Sequence, residues 1–448
     1  MTSPIVKARS TIAFVAALLV ATLLAVWIER QSAVGEREAA KHRPGRVAVV
    51  QSSPDLPSLP APRALTDRER EWAVIAWRYF ERNTDAQTGL VNSVQDYPAA
   101  TMWDTASYLL ALIAAQKIDV IDTAQFNARM DQALRSLARM PLYRDVLPNK
   151  SYDTSSLAMA DYSGKPAPNG IGWSALDIGR LLVALDIVAL QYPEHAEAVT
   201  RVVSRYDLPR VRSHGSLVGT SLAADGSARE LQEGRLGYEQ YAAAGYALYG
   251  IDMRDALDYR PHLSWVDVYG IHVPVDDRDP KEFGARNFVV SEPYVLDGLE
   301  FGWDSVTQEL AWRVYRAQQE RFRKTGVPTA VTEDHLDRAP YFAYNAVYSD
   351  GRAWNTITEN GESLPELRTL SVKAAFGWHA LYQSEYSTRL IDAVAGLNDP
   401  ERGWYAGKYE AGGAPNRSLN ANTNAVVLES LAYMAQGRLL GLRKGGGN

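Results

Sequence analysis

"QEGRLGYEQYAAAGYALYG", residues 232–250, sets a charged, tyrosine-rich opening against a run of alanine and glycine with little bulk on one face. On a helix starting near Leu236, Tyr238, Tyr241, Gly245 and Tyr249 line one stripe, while Ala242, Ala243 and Tyr246 follow Glu239 on another. Small residues permit close approach of neighbouring backbones, so the spacing predicts a helix packed inside a ring of helices. Its polar first turn then opens into the mouth of that ring, where Glu239 faces any bound ligand.

Helical patterning extends from this stretch in both directions. The apolar period predicts helices near 67–82, 102–117, 123–139, 173–191, 194–205, 293–301, 304–325, 367–382, 384–396 and 421–437, separated by loops rich in Gly, Pro, Asn and Asp. Thr66 and Glu69 stand at capping-box spacing before the first of them. Strand signal is scarce apart from "SWVDVYGIHVPV" at 264–275, whose alternation predicts a small β-hairpin insertion. Repeated helical hairpins are what an α-toroid requires, and a closed ring absorbs several hundred residues as one domain. The expected fold class is all-α.

The amino terminus reads differently. "IAFVAALLVATLLAVWI", residues 12–28, is uncharged, follows Lys7 and Arg9, and ends beside an interfacial Trp27. It predicts a transmembrane signal anchor with residues 1–11 in the cytoplasm and the bulk exported; a cleaved signal peptide would export the bulk equally. Four prolines in "SSPDLPSLPAPRAL" make 29–65 a tether, with 66–440 the main domain and 441–448 a flexible tail.

Composition excludes several function classes. A formal charge of -6 with no Lys/Arg block argues against nucleic acid. The absence of cysteine removes disulfides, thiolate metal sites and cysteine nucleophiles. No G-x-S-x-G elbow, Walker loop or paired histidine motif appears, so neither a cofactor nor a metal is expected. "VDDRDPKEFG", with Asp276, Asp277 and Asp279, reads as a solvated turn, with calcium the rival.

Carboxylates at predicted segment starts remain. Two acids flanking one bond suffice for glycoside hydrolysis. Candidates are Asp104 in "TMWDTA", Glu233, Glu239, Glu292 in "VVSEPYVLDGLEFG", and Glu333 with Asp334 in "VTEDHLDRAPYF". Asp104 and Asp177 each stand three residues after a capping hydroxyl, Thr101 and Ser174. Asp177, with Arg180 one turn on, reads as a cap and ion pair; Trp103 beside Asp104 could floor a sugar subsite. Glu239 has no such cap and would be costly to bury unpaired. Glu292 precedes Pro293 and reads either as a cap or as a working acid, and Glu300 as a buried, paired glutamate. The loop "YFAYNAVYSDGRAW" reads as a sugar-contact surface or as an ordinary aromatic loop.

Taken together, "TGLVNSV…TMWDTASYLLALIAA", "GWSALDIGRLLVAL", the opening stretch, "SEPYVLDGLEFG", "TEDHLDRAPYF" and "GWYAGKYE…NANTNAVVLESLAY" resemble the blocks of the bacterial family called domain of unknown function 3131, from about Thr66 to Leu440. More distantly, a "GL" loop before the first inner helix and a Tyr-Glu pair opening a later one are similar to the glucoamylase-like domains of endo-β-1,2-glucanases and cyclic β-1,2-glucan synthases. That resemblance implies an (α/α)6 toroid. It places Glu239 at the Tyr-Glu glutamate and Asp104 near the first acidic cluster, although the loop here has fewer acids.

The expected protein is a membrane-anchored periplasmic glycoside hydrolase or transglycosylase acting on an envelope or exported glucan, with β-1,2-glucan first among the substrates. Glu239 with Glu292 or Asp104 would be the catalytic pair. Substrate contacts are expected from Trp103, Glu233, Arg235, Tyr238, Tyr294, Glu333 and Asp334, and from Tyr341, Tyr344, Trp404, Tyr409, Asn422 and Asn424. The expected partners are a glucan or other polysaccharide, the inner membrane and a polysaccharide synthase complex. Two rivals are a non-catalytic glycan-binding component of an export machine and a protein-interaction platform with an exposed apolar face.

Overall fold

Helices alternate along the chain between two roles. The computed structural model describes residues 50–222, 226–283 and 286–441. Within them six helical hairpins follow one another: α1 (Asp67–Asn83) and α2 (Met102–Lys117), α3 (Thr123–Leu137) and α4 (Ala175–Gln191), α5 (Ala196–Val203) and α6 (Tyr238–Leu248), α7 (Arg254–Leu257) and α8 (Glu292–Glu300), α9 (Ser305–Thr325) and α10 (Val372–Tyr382), α11 (Glu385–Val394) and α12 (Ala421–Gln436). The even-numbered helices pack in the order α2, α4, α6, α8, α10, α12 and back to α2, closing a ring. The odd-numbered helices lie outside it.

Composition sorts the two sets. α2 buries Met102 and every residue from Asp104 to Ala115, and a helix apolar on all sides belongs inside. α11 is amphipathic and buries one stripe containing Tyr386, Leu390, Ile391 and Val394. The smooth face of the opening stretch meets α4 there: a Cβ on Gly245 would stand 2.2 Å from the Gly179 carbonyl oxygen, so these backbones touch. Hydroxyl and amide caps start the inner helices, with Thr101, Ser174, Ser371 and Asn420 accepting N–H groups of the first turns. α6 begins at Gly237, whose φ of 96° suits glycine.

The connections are asymmetric. Inner-to-outer links are tight, as short as Gln383–Ser384, while outer-to-inner links are long, up to 326–371. The strands sit in the long links, so they gather at one end of the ring, around the amino termini of the inner helices. This corrects the expectation of an all-α chain with one hairpin. The hairpin Leu263–Val268/Ile271–Asp276 is present, but so are two four-stranded sheets and smaller ones. Many of these strands have two or three residues, too few to show alternation.

The opposite end, the base, is where the inner helices finish. There Leu439 N donates to Leu299 O and Gln191 donates to Leu439 O. The tether expected over 29–65 divides: 29–49 lie outside the described residues, whereas 50–65 pack as a strap. Ser53 donates twice to Glu309, Asp55 receives Trp312 Nε1 at 3.2 Å and pairs with Arg316, and Arg63 N donates to Met434 O at 2.8 Å. Among the described residues no helix is long and apolar enough to cross a membrane, and the apolar run 12–28 lies outside them.

Candidate active site

The mouth collects side chains from every quarter of the ring. Glu292, the first residue of α8, reaches across it: Oε1 accepts Trp103 Nε1 from α2 at 3.1 Å and Asn422 Nδ2 from α12 at 2.7 Å, while Oε2 pairs with Lys373 from α10. All three neighbours are donors, so both oxygens act as acceptors, the pattern of a carboxylate. Burial alone would lower Lys373, but the charges of Glu292, Glu333 and Asp334 outweigh it and raise it. Lys373 therefore stays cationic.

Two further acids stand in the links and helix starts around the mouth. Asp177 starts α4 on one wall; burial, reinforced by Glu233 and Asp104, pushes it up to about 7, although Ser174 donates to it. Glu333 stands on the facing side, on the strand Glu333–His335 early in the link before α10, and burial pushes it up to about 7 against the pull of Lys373. Neither forms an ion pair with any described residue. Tyr344 is the cross-strand neighbour of Glu333, and its phenol is raised first by burial and then by Glu359, Glu333, Asp177 and Glu233. A raised carboxyl is not by itself a site: Asp297, half-buried beside Asp304 and Thr307 toward the base, also reaches about 7.

Other expected residues divide clearly. Trp103 lies against Tyr238, with ring centroids 5.7 Å apart. Asp104 accepts from Ser93 and from Thr101, the latter at 2.8 Å, and its charge acts on His335. Asp334 is buried, accepts Ser371 Oγ at 3.2 Å, and is pushed well up by burial. Glu233 accepts Ala175 N at 2.5 Å at the start of α4, beside Asp177, and is raised by burial. Tyr344 stacks on Phe288 at 3.8 Å, Tyr294 is buried near the start of α8, and Tyr341 is 65% exposed on the hairpin after Glu333.

Several residues are placed elsewhere. Glu239 is 2% exposed and saturated: Arg278 Nη2 lies 2.6 Å from Oε2, while Leu217 N and Gln232 Nε2 donate to Oε1. A carboxylate buried and held by three protein donors is already committed to the scaffold. Asp276 completes that ion cluster through Arg278, so the acidic turn serves packing. Arg235 is buried over the Phe283 ring, Trp404 donates to Trp72 O within an aromatic core, Asn424 ties down the Trp404 backbone, and Tyr409 donates to Asp337. These are scaffold contacts.

For Asp177 the sequence predicts a cap and an ion pair with Arg180. The cap forms, but Arg180 turns into the ring interior and pairs with Glu300 and Glu429 instead. Lys373 and His335 carry no signal in the sequence, since each is a lone polar residue without a motif partner. Lys373 reaches Glu292 from the first turn of α10, and His335 comes to the mouth on the long link before that helix.

The family profile for the protein of unknown function DUF3131 matches residues 71–437. The chain belongs to the DUF3131 family. No curated protein matches this DUF3131 chain by sequence. Among solved structures it is similar to an endo-β-1,2-glucanase from Chitinophaga pinensis bound to sophorotriose and glucose, at 12% identity over 84% of this chain and 94% of that one, TM-score 0.58. A mutant endo-β-1,2-glucanase from Talaromyces funiculosus with β-1,2-glucan gives 13% identity over 84% and 85%, TM-score 0.54. Cellobiose 2-epimerase from Bacillus thermoamylovorans B4167 gives 14% over 82% and 98%, TM-score 0.50. The DUF3131 chain thus shares the fold of glucoamylase-like proteins, a fold that serves more than one reaction.

Proposed function

We propose that this DUF3131 protein is a glycoside hydrolase or transglycosylase acting on an envelope or exported glucan, with β-1,2-glucan the first substrate to test. The observation that carries the reading is the mouth itself: Asp177 and Glu333 on opposite sides of the ring, both held near neutrality, with the fixed Glu292 carboxylate at the same mouth. A carboxyl poised near 7 is still protonated at working pH and can give its proton. One of the two acids protonates the glycosidic oxygen as the bond from C1 breaks. The other takes the proton of the water, or of the acceptor hydroxyl, whose oxygen joins C1. Glu292 would face the positive charge that develops on the sugar ring.

The solved relatives support the fold, and the glucans in two of them support the choice of substrate. Membrane anchoring through 12–28 and a periplasmic main domain belong to the same proposal and rest on the sequence alone. The test is incubation of residues 50–448 with linear β-1,2-, β-1,3-, β-1,4- and mixed-linkage glucans, followed by assay of new reducing ends and oligomer sizes. Product that vanishes in Asp177→Asn and Glu333→Gln supports the reading. No product from any glucan, with binding kept by all three proteins, would select the non-catalytic glycan-binding alternative.

A further inference from the structure

Under the floor of the mouth lies a charged cluster that this chemistry leaves unused. Arg180 of α4 donates through Nη1 to Glu300 Oε1 on α8 at 2.8 Å and to Tyr241 Oη on α6 at 3.0 Å. Its Nη2 donates to Glu429 Oε1 on α12 at 3.2 Å, and Tyr241 Oη donates to Glu300 Oε2 at 2.6 Å. Arg180, Glu300 and Glu429 are all 0% exposed. Touching four of the six inner helices places the guanidinium at the centre of the ring. Burial of such a cluster is often no more stabilising than apolar residues of the same volume, so packing alone gives a weak account of it.

A second account runs upward. The guanidinium carbon lies 4.9 Å from the Trp103 ring centroid, and Tyr241 flanks the same ring at 6.0 Å. The indole is held from below and from the side, and its N–H is aimed at Glu292 Oε1, 3.1 Å away. Lys373 grips the other oxygen, so the Trp103 bond helps fix the plane of the carboxylate. Working groups must be held to within about 0.5 Å by neighbours that are themselves fixed.

We propose that Arg180 is a positioning residue that sets the orientation of Glu292 through Trp103, an inference that rests on reading the mouth as a glycosidase site. It acts at one remove and touches no substrate.

The test follows the indole N–H resonances of nitrogen-15-labelled residues 50–448, with Trp103 assigned by its loss in Trp103→Phe. In Arg180→Met the Trp103 resonance should shift and exchange with solvent at least about tenfold faster, while the other indoles stay in place. A Trp103 resonance unmoved in a folded Arg180→Met protein overturns the proposal. Should that variant not fold, Tyr241→Phe removes one anchor of Arg180; a smaller shift supports the proposal and none overturns it.

On a glucan that the wild type cleaves, Arg180→Met and Trp103→Phe should each lower kcat by roughly 10–100-fold with KM within about threefold, and the double variant should be no slower than the worse single one. Full kcat in Trp103→Phe overturns the relay. If the wild type cleaves no glucan, the hydrolase reading fails and the indole measurement alone decides the role of Arg180.

Discussion

Asp177 and Glu333 should oppose folding in proportion to their value for chemistry. Each has a folded-state value of about 7, above the value of about 4 for a free carboxyl, so the folded chain binds more protons between those limits. Stability therefore falls as pH rises from about 4 to about 7 and levels off above it. Asp177→Asn and Glu333→Gln should each be more stable than the wild type by on the order of 1–3 kcal/mol at pH 8, with the gap closed at pH 4, while kcat falls about 10²–10⁴-fold. Urea unfolding at the two pH values checks this; an equal gap at both would count against it. Glu239→Gln should behave in the opposite way, losing roughly 1–3 kcal/mol because Arg278 keeps only Asp276 as a partner, with kcat of the folded protein changed less than about tenfold. Abolished turnover at an unchanged melting temperature would restore Glu239 to the site. The sequence showed Glu292 and its neighbours Trp103 and Asn422 because helix starts and aromatic blocks are visible along a chain. It could not show that Arg278, 39 residues on, pairs with Glu239, or that Arg180 turns away from Asp177, because both pairings are made by tertiary packing.

At the scale of elements, the contact of α4 with α6 is the point where side-chain volume is least tolerated. Gly245→Ala would drive a methyl into the Gly179 carbonyl, and Gly179→Ala would place one 2.7 Å from Ala242 Cβ. Each change should lower stability by about 1–3 kcal/mol in thermal or urea unfolding, since α4 and α6 carry Asp177 and Glu239 and cannot separate freely. A neutral result would show that the helices can shift apart. The same small residues made the opening stretch readable, and most helices were legible for the matching reason that an apolar period persists over many turns. α7, a single turn over Arg254–Leu257, was not legible, nor were the short strands of the outer-to-inner links. Segments that brief take their conformation from their neighbours.

Across the whole molecule, the strap joins the first hairpin to the last. Arg63 pairs with Glu69 in α1 while its backbone binds Met434 in α12, and Ser53 and Asp55 hold α9. Removing residues 50–65 should lower stability by about 2 kcal/mol, because it strips the Glu309 and Trp312 contacts and the Arg63 clasp together. Calorimetry of chains beginning at 50 and at 66 makes the comparison; identical melting would mean that the strap is an ornament of the fold. The prolines of the strap exclude helix and predict a tether, and an extended chain looks the same on paper whether it is free or docked. Its path has a practical consequence. The described chain enters beside Arg313, half-way along α9, and leaves at Leu440, bonded to Glu300 O on the face opposite the mouth. A chain cut after Leu440 and immobilised on a sensor chip through that end should present its mouth to the flowing solution, and polysaccharide chains far larger than the protein itself should reach it without steric hindrance from the surface.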